Sequence, residues 1–188
     1  MSVRPIVITG DPTLHTPAHE VTAFDTDLRN LVRDMEDTMA AAPGVGLAAP
    51  QIGVPLRVFI WSWTDENDVE HRGTVVNPVL WISPPPVGEP DENEELEGCL
   101  SIPGERFPLR RAEHAILTGV DEAGSPLNVR ASGWLARIFQ HEFDHLNGVL
   151  YADRLEYVYA KAAARAVRKN GWGVAGASWL PGVDDLDA

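Results

Sequence analysis

The stretch that most restricts what this chain can become is Gln140-His141-Glu142-Phe143-Asp144-His145, an H-E-x-x-H sequence inside an apolar run. Side chains four residues apart on a helix lie on one face, one above the other. Two imidazoles so placed can share a metal ion, and the glutamate after the first can reach a water there and move its proton. A single histidine on such a helix reads as an ordinary core or surface residue, whereas the full set reads as metal-binding. Leu135, Ile138, Phe139 and Leu146 supply the apolar positions of a helix expected over Gly133 to Asn147, and Gly148 is placed to end it.

A chain of 188 residues is long enough for one domain with a sizeable core. The expectation is a single catalytic domain over 1–188, with 171–188 an irregular tail because its Gly-Trp-Gly-Val-Ala-Gly run has no periodicity. No apolar stretch is long enough to span a bilayer, and the apolar run near Met1 is too short for a signal-peptide core, so the expected location is cytoplasmic. The net charge of −13 argues against broad adhesion to DNA or to a membrane surface. Cys99 is the only cysteine, which rules out an internal disulfide framework.

Read in order, the chain alternates short extended runs with three helical ones. Residues 3–9 look extended, and Asp11-Pro12 and His15-Thr16-Pro17 mark the next residues as turn or loop. Leu28, Leu31, Val32, Met35 and Met39 share one face of a helix from Thr26 to Ala42, with Asp25 or Thr26 as N-cap and Pro43-Gly44 as its end. The small residues of Gly44-Val-Gly-Leu-Ala-Ala-Pro50 lack the lysine of a phosphate loop and point instead to a backbone pressed close to a neighbour or a ligand. Strands are expected at Leu56–Ser62, Thr74–Ile82, His114–Val120 and Leu127–Ala131, with 65–72 an exposed hairpin loop. The acidic 89–97 stretch gives little reason to be ordered by itself. A last helix should run from an Asp153 cap to Lys169, closed by Asn170-Gly171. Short strands followed by helices make an α+β domain: small antiparallel or mixed sheets around the central H-E-x-x-H helix, with an N-terminal and a C-terminal helix.

A catalytic site needs a third protein ligand and an open position. The extension that places a further histidine at position 151 fails, since that residue is Tyr151. Glu156 is the only acid beyond Asp153 before the tail, and it lies very close in sequence to the motif. Upstream candidates are His15, His19, His71, His114 and Cys99, of which Cys99 stands in a tight Gly98-Cys99-Leu100 setting and offers a strong thiolate ligand.

Three segments stand in order: Gly44-Val-Gly-Leu-Ala-Ala-Pro-Gln51, Glu97-Gly-Cys-Leu-Ser101 and Gln140-His-Glu-Phe-Asp-His-Leu146. Together they resemble the three signature motifs of the peptide deformylases, and the similarity extends from Gly10-Asp-Pro to Tyr151 and beyond. The 65–72 and 87–96 loops and the tail resemble the actinobacterial branch.

The resemblance implies hydrolytic removal of the N-formyl group from the initiator methionine of newly made polypeptides, with release of formate. It implies Cys99, His141 and His145 as metal ligands and Glu142 as general base and then acid. Gln51 through its amide and Leu100 through its backbone N–H would stabilise the oxyanion. Ligand type alone suggests zinc; the resemblance implies ferrous iron, with zinc, nickel or cobalt able to substitute. It also implies supporting roles for Glu97, Arg111 and Asp144, and a contact from Arg106 to the substrate backbone. Val45, Gly46, Ile102, Trp134, Arg137 and Ile138 are the further candidates for substrate binding, since a methionine side chain needs an apolar pocket. Arg137 departs from the commoner apolar residue, and it is expected to lay its stem along the pocket with its charge outward. Lys161, Arg165, Arg168 and Lys169 share one side of the last helix; the bland reading is a solvated face, and the sharper expectation, implied by the resemblance, is docking on ribosomal RNA near the peptide exit. The competing readings are an endopeptidase sharing only H-E-x-x-H, which leaves Gln51 and the cysteine segment without purpose, and a non-catalytic, decayed deformylase.

Overall fold

The computed structural model describes residues 2–184. In chain order its elements are β1 (Ile6–Val7), α1 (Thr26–Ala41), β2 (Gly46–Ala48), β3 (Val58–Thr64), β4 (Glu70–Ile82), β5 (Leu96–Cys99), β6 (Ile102–Pro108), β7 (His114–Val120), β8 (Pro126–Ser132), α2 (Gly133–Leu146), α3 (Tyr157–Lys169) and β9 (Ser178–Trp179). The fold class is α+β, as expected.

A five-stranded antiparallel sheet, in the order β2-β3-β4-β7-β8, carries the central helix α2. Valine and aromatic residues suit the pleated, half-buried surface of its middle strands. Phe59, Trp61, Val75 and Leu117 pack against Leu135, Ile138, Phe139 and Leu146 of α2. The rings of Trp61 and Phe139 meet edge to face with centroids 5.0 Å apart, a favoured aromatic geometry. On another side of the sheet α1 buries Leu28, Val32, Met35 and Met39 against Leu47, Val58 and Ile60. Asp25 caps α1 by accepting from the N–H groups of Asp27 and Leu28, a contact worth about 1 kcal/mol.

Several boundaries differ from expectation, each for a tertiary reason. The loop between β3 and β4 is shorter than 65–72, because β4 begins at Glu70 and pairs Trp63 with His71. Those two rings stack 5.4 Å apart, and His71 Nε2 lies 2.9 Å from Asp65 Oδ2. The acidic stretch is ordered: Asp91 accepts from the N–H groups of Asn93 and Glu94, and Glu95 pairs with Arg110 at 2.6 Å. Asp153 does not start the last helix. It accepts from the Leu150 N–H and caps a 3-10 turn at Tyr151–Arg154, Leu155 is extended, and α3 begins at Tyr157.

The tail is not irregular throughout. Ser178–Trp179 pairs antiparallel with β1, and Trp179 is buried in the α1 core; positions 185–188 of the expected tail lie outside the described residues.

Candidate metal and catalytic site

Three elements bring the site together. Helix α2 puts His141 and His145 one turn apart, with ring centroids 4.9 Å apart and Nε2 atoms 3.2 Å apart. The β5–β6 hairpin supplies Cys99 where its register shifts between Gly98 and Cys99. Such a bulge turns a side chain out of the ladder's alternation, and it brings Cys99 Sγ to 3.3 Å from His145 Nε2. Candidate ligand atoms of Cys99, His141 and His145 all lie within 4.8 Å of one another. Strand β2 and the short turn after it bring Gln51.

The other candidates of the sequence fall elsewhere: the group able to hold an ion among the described residues contains no His15, His19, His71, His114 or Glu156.

The surroundings fit a cation. Glu97 Oε1 accepts from His141 Nδ1 at 2.7 Å, which leaves His141 Nε2 facing the sulfur and His145. Burial opposes a charged His141, yet the Cys99 sulfur and the Glu97 carboxylate outweigh it and hold the imidazole protonated well above its ordinary range. His145 goes the other way, held well below that range by burial and then by the positive charge on His141. A thiolate and two imidazoles converging in this way are donors suited to a divalent transition-metal ion.

Glu97 is buried, and burial alone would raise its pKa, but Arg111 and His141 pull it well below the usual carboxylate range. Arg111 donates to it twice, at 2.6 and 3.0 Å, and to Asp144 at 2.7 Å. Asp144 is also gripped by Arg154 at 2.6 Å. Arg137 corrects the expectation: its charge points inward. It is buried, donates to Glu97 Oε2 at 2.9 Å and to the Leu109 carbonyl at 2.7 Å, and lies with its guanidinium 5.6 Å from the Trp134 ring centre. Removing one partner from such a buried set typically costs about 3–5 kcal/mol, because the opposing charge stays behind.

Glu142 is buried, and burial pushes its carboxyl up to about 7. Its Oε2 has no hydrogen-bond partner among the described residues. Gln51 is also buried; its Oε1 accepts from the Ala48 N–H at 2.8 Å, which turns Nε2 toward Cys99 Sγ and Ser101 Oγ, 3.7 and 3.5 Å away. A cleft of about 200 Å³ opens over these groups. Val45, Gly46, Leu100, Arg106, Trp134, Arg137 and Ile138 line it. Ile102 does not. It is buried in the cluster with Leu14, Leu109 and Tyr151 behind Cys99, because the hairpin turn at Leu100–Ser101 reverses its direction. Leu96, Gly98 and Glu105 also line the cleft and were not anticipated; the signal was their position beside the cysteine segment.

A family model described as Polypeptide deformylase matches residues 3–160. The chain belongs to the polypeptide deformylase family. It is 51% identical to a peptide deformylase of Mycolicibacterium paratuberculosis over 97% of this chain and 96% of that one. Peptide deformylase 2 of Corynebacterium efficiens is 48% identical over 98% and 96%. Among solved structures, the Ehrlichia chaffeensis peptide deformylase in complex with actinonin superposes with a TM-score of 0.79 at 34% identity, covering 90% of this chain and 98% of that one. Deformylases are metal-dependent hydrolases that remove the N-formyl group from nascent peptides. As a member, the chain is such an enzyme, and it carries a Cys-His-His group able to hold the ion.

Proposed function

We propose that this chain deformylates the N-terminal formyl-methionine of new polypeptides with Cys99, His141 and His145 as ligands of a ferrous ion, for which zinc, nickel or cobalt can substitute. The observation that carries the reading is a buried Glu142 carboxylate, its Oε2 without a hydrogen-bond partner among the described residues, on the same helix turn as two converging imidazoles. A divalent ion there supplies Lewis-acid activation of a water at neutral pH.

The chain's own residues do the rest. Glu142 takes a proton from the attacking water as that oxygen bonds to the formyl carbon. Negative charge then builds on the former carbonyl oxygen, and Gln51 Nε2 and the Leu100 N–H are the donors proposed to receive it. Preorganised donors of this kind are worth about a hundred- to a thousandfold each in rate. As the C–N bond breaks, Glu142 returns the proton to the departing amine nitrogen, leaving formate and a free N-terminus. A carboxyl poised near neutrality suits both transfers. Glu97, Arg111 and Asp144 hold His141 and the helix in place. Val45, Gly46, Trp134, Ile138 and the stem of Arg137 form the side-chain pocket, and Arg106 at its rim is the proposed contact to the substrate backbone.

The whole chain 1–188 is proposed as one catalytic unit acting in the cytoplasm; among the described residues no helix is long and apolar enough to cross a membrane. Docking near the ribosomal peptide exit through Lys161, Arg165, Arg168 and Lys169 is part of the same proposal, supported by their exposure on α3. The test is formate release from formyl-Met-Ala-Ser by iron-loaded protein prepared without oxygen. Expected is turnover by the parent and a loss of at least about a hundredfold in Glu142→Ala. Unimpaired turnover in that variant would remove Glu142 from its role, and an inert parent would favour the decayed reading.

A further inference from the structure

The cysteine loop is held from outside by segments that carry none of the three signature motifs. Trp179 is 3% exposed, and its indole N–H donates to the Leu100 carbonyl at 2.8 Å. The Thr9 N–H donates to the Ser101 carbonyl at 2.8 Å. These two anchors belong to one piece: β9 pairs with β1, Ile8 N donates to the Ala177 carbonyl at 2.9 Å, and Gly173 N donates to the Thr9 carbonyl at 2.9 Å. Trp179 lies beyond residues 3–160, the stretch matched by the family model.

The consequence runs through a single peptide plane. The Leu100 carbonyl and the Ser101 N–H belong to the same planar unit and point in opposite directions. Fixing the carbonyl on Trp179 therefore fixes the direction of the Ser101 N–H, which donates to Cys99 Sγ at 3.4 Å. The Leu100 N–H sits one plane earlier, across the same Cα. A buried indole needs an acceptor for its N–H, and here the acceptor belongs to the peptide that faces the sulfur.

We propose that Trp179 is a positioning residue: by holding the Leu100 carbonyl it aims the Ser101 N–H at the Cys99 sulfur and orients the Leu100 N–H toward the cleft. The inference rests on the proposed roles of Cys99 and Leu100. A hydrogen bond to a thiolate draws charge from the sulfur, so the C-terminal segment tunes the ligand as well as the loop.

The test compares parent and Trp179→Phe in the full chain, iron-loaded for kinetics and cobalt-loaded for absorption. Expected is a kcat lower by about tenfold, an unchanged KM, a shifted thiolate-to-cobalt absorption band, and a melting temperature close to the parent's. A melting temperature that falls while kcat and the band hold would show a structural role only and overturn the proposal; so would no change at all. If Trp179→Phe does not fold, replacement of Trp179 by benzothienylalanine keeps the ring size and exchanges the N–H for sulfur, with the same outcomes read. A parent that binds cobalt but releases no formate would sink the proposed function, leaving the band comparison to decide on Trp179. A parent without a thiolate band would overturn both.

Discussion

A methyl group at position 46 would run into Glu142 Oε1 and stand 2.8 Å from its Cδ, and one at position 44 would stand 2.9 Å from Leu100 Cδ1. The paired glycines of Gly44-Val45-Gly46 are thus explained by close approach: β2 passes directly over the carboxylate and the cysteine loop. Gly46→Ala should leave the fold intact but displace Glu142, which is buried and has little room to yield. The expected outcome is a fall in kcat of about tenfold or more with the bound metal retained, read by formate release and metal analysis. An unchanged kcat would mean that the position of this carboxylate is not critical. Arg137 makes a similar point from the other side. The expectation from sequence lays its stem along the pocket with its charge outward, and only the Glu97 carboxylate, brought in from β5, draws the charge inward.

At the scale of elements, the helices were legible because their periodicity is local. The face of α1, the H-E-x-x-H turn of α2 and the Asn170 end of α3 follow from spacing and capping alone. The β5–β6 hairpin was not legible. Leu-Glu-Gly-Cys and Ile-Pro-Gly-Glu-Arg-Phe-Pro are rich in glycine, proline and charge, residues poor in strand propensity, and they pair because Arg111 and α2 hold Glu97 behind them. Helix α3 buries Ala163 and Ala166 and turns Lys161, Arg165, Arg168 and Lys169 to solvent. Reversing those four charges should weaken co-sedimentation with ribosomes and leave turnover of a free formyl-peptide unchanged. Undiminished co-sedimentation would reduce this face to a solvated one.

At the scale of the whole molecule, residues 2–4 and the Ser178–Trp179 strand are fastened onto the site-bearing core. Near the N-terminus, Asp34 of α1 accepts from the Ser2 N–H at 3.1 Å and from Arg4 Nε at 2.8 Å. Burial alone would raise the Asp34 carboxyl, but these donors outweigh it and hold its pKa below the ordinary carboxylate value. A group depressed on folding stabilises the native state above its unfolded pKa, and that contribution fades as pH falls through the folded value. Urea unfolding should therefore show Asp34→Asn weaker than the parent by about 1 kcal/mol at pH 7, discounted for the exposed Arg4, with the gap closing in acid as the Asp34 carboxyl is protonated. A gap of equal size at pH 7 and in acid would contradict the pairing. At the other end, Trp179 reaches the Leu100 carbonyl, and an aperiodic tail offers no local sign of such a contact. The sequence by itself determined the shared imidazole face of α2 with Glu142 beside it, and the α+β class, because helix spacing acts over a few residues; Cys99 and Gln51 were singled out by the resemblance of three motifs standing in order. Only the tertiary structure decided where Arg137 puts its charge, that Ile102 stands behind the site, and that the C-terminal strand holds the cysteine loop, because each depends on partners tens of residues away in the chain.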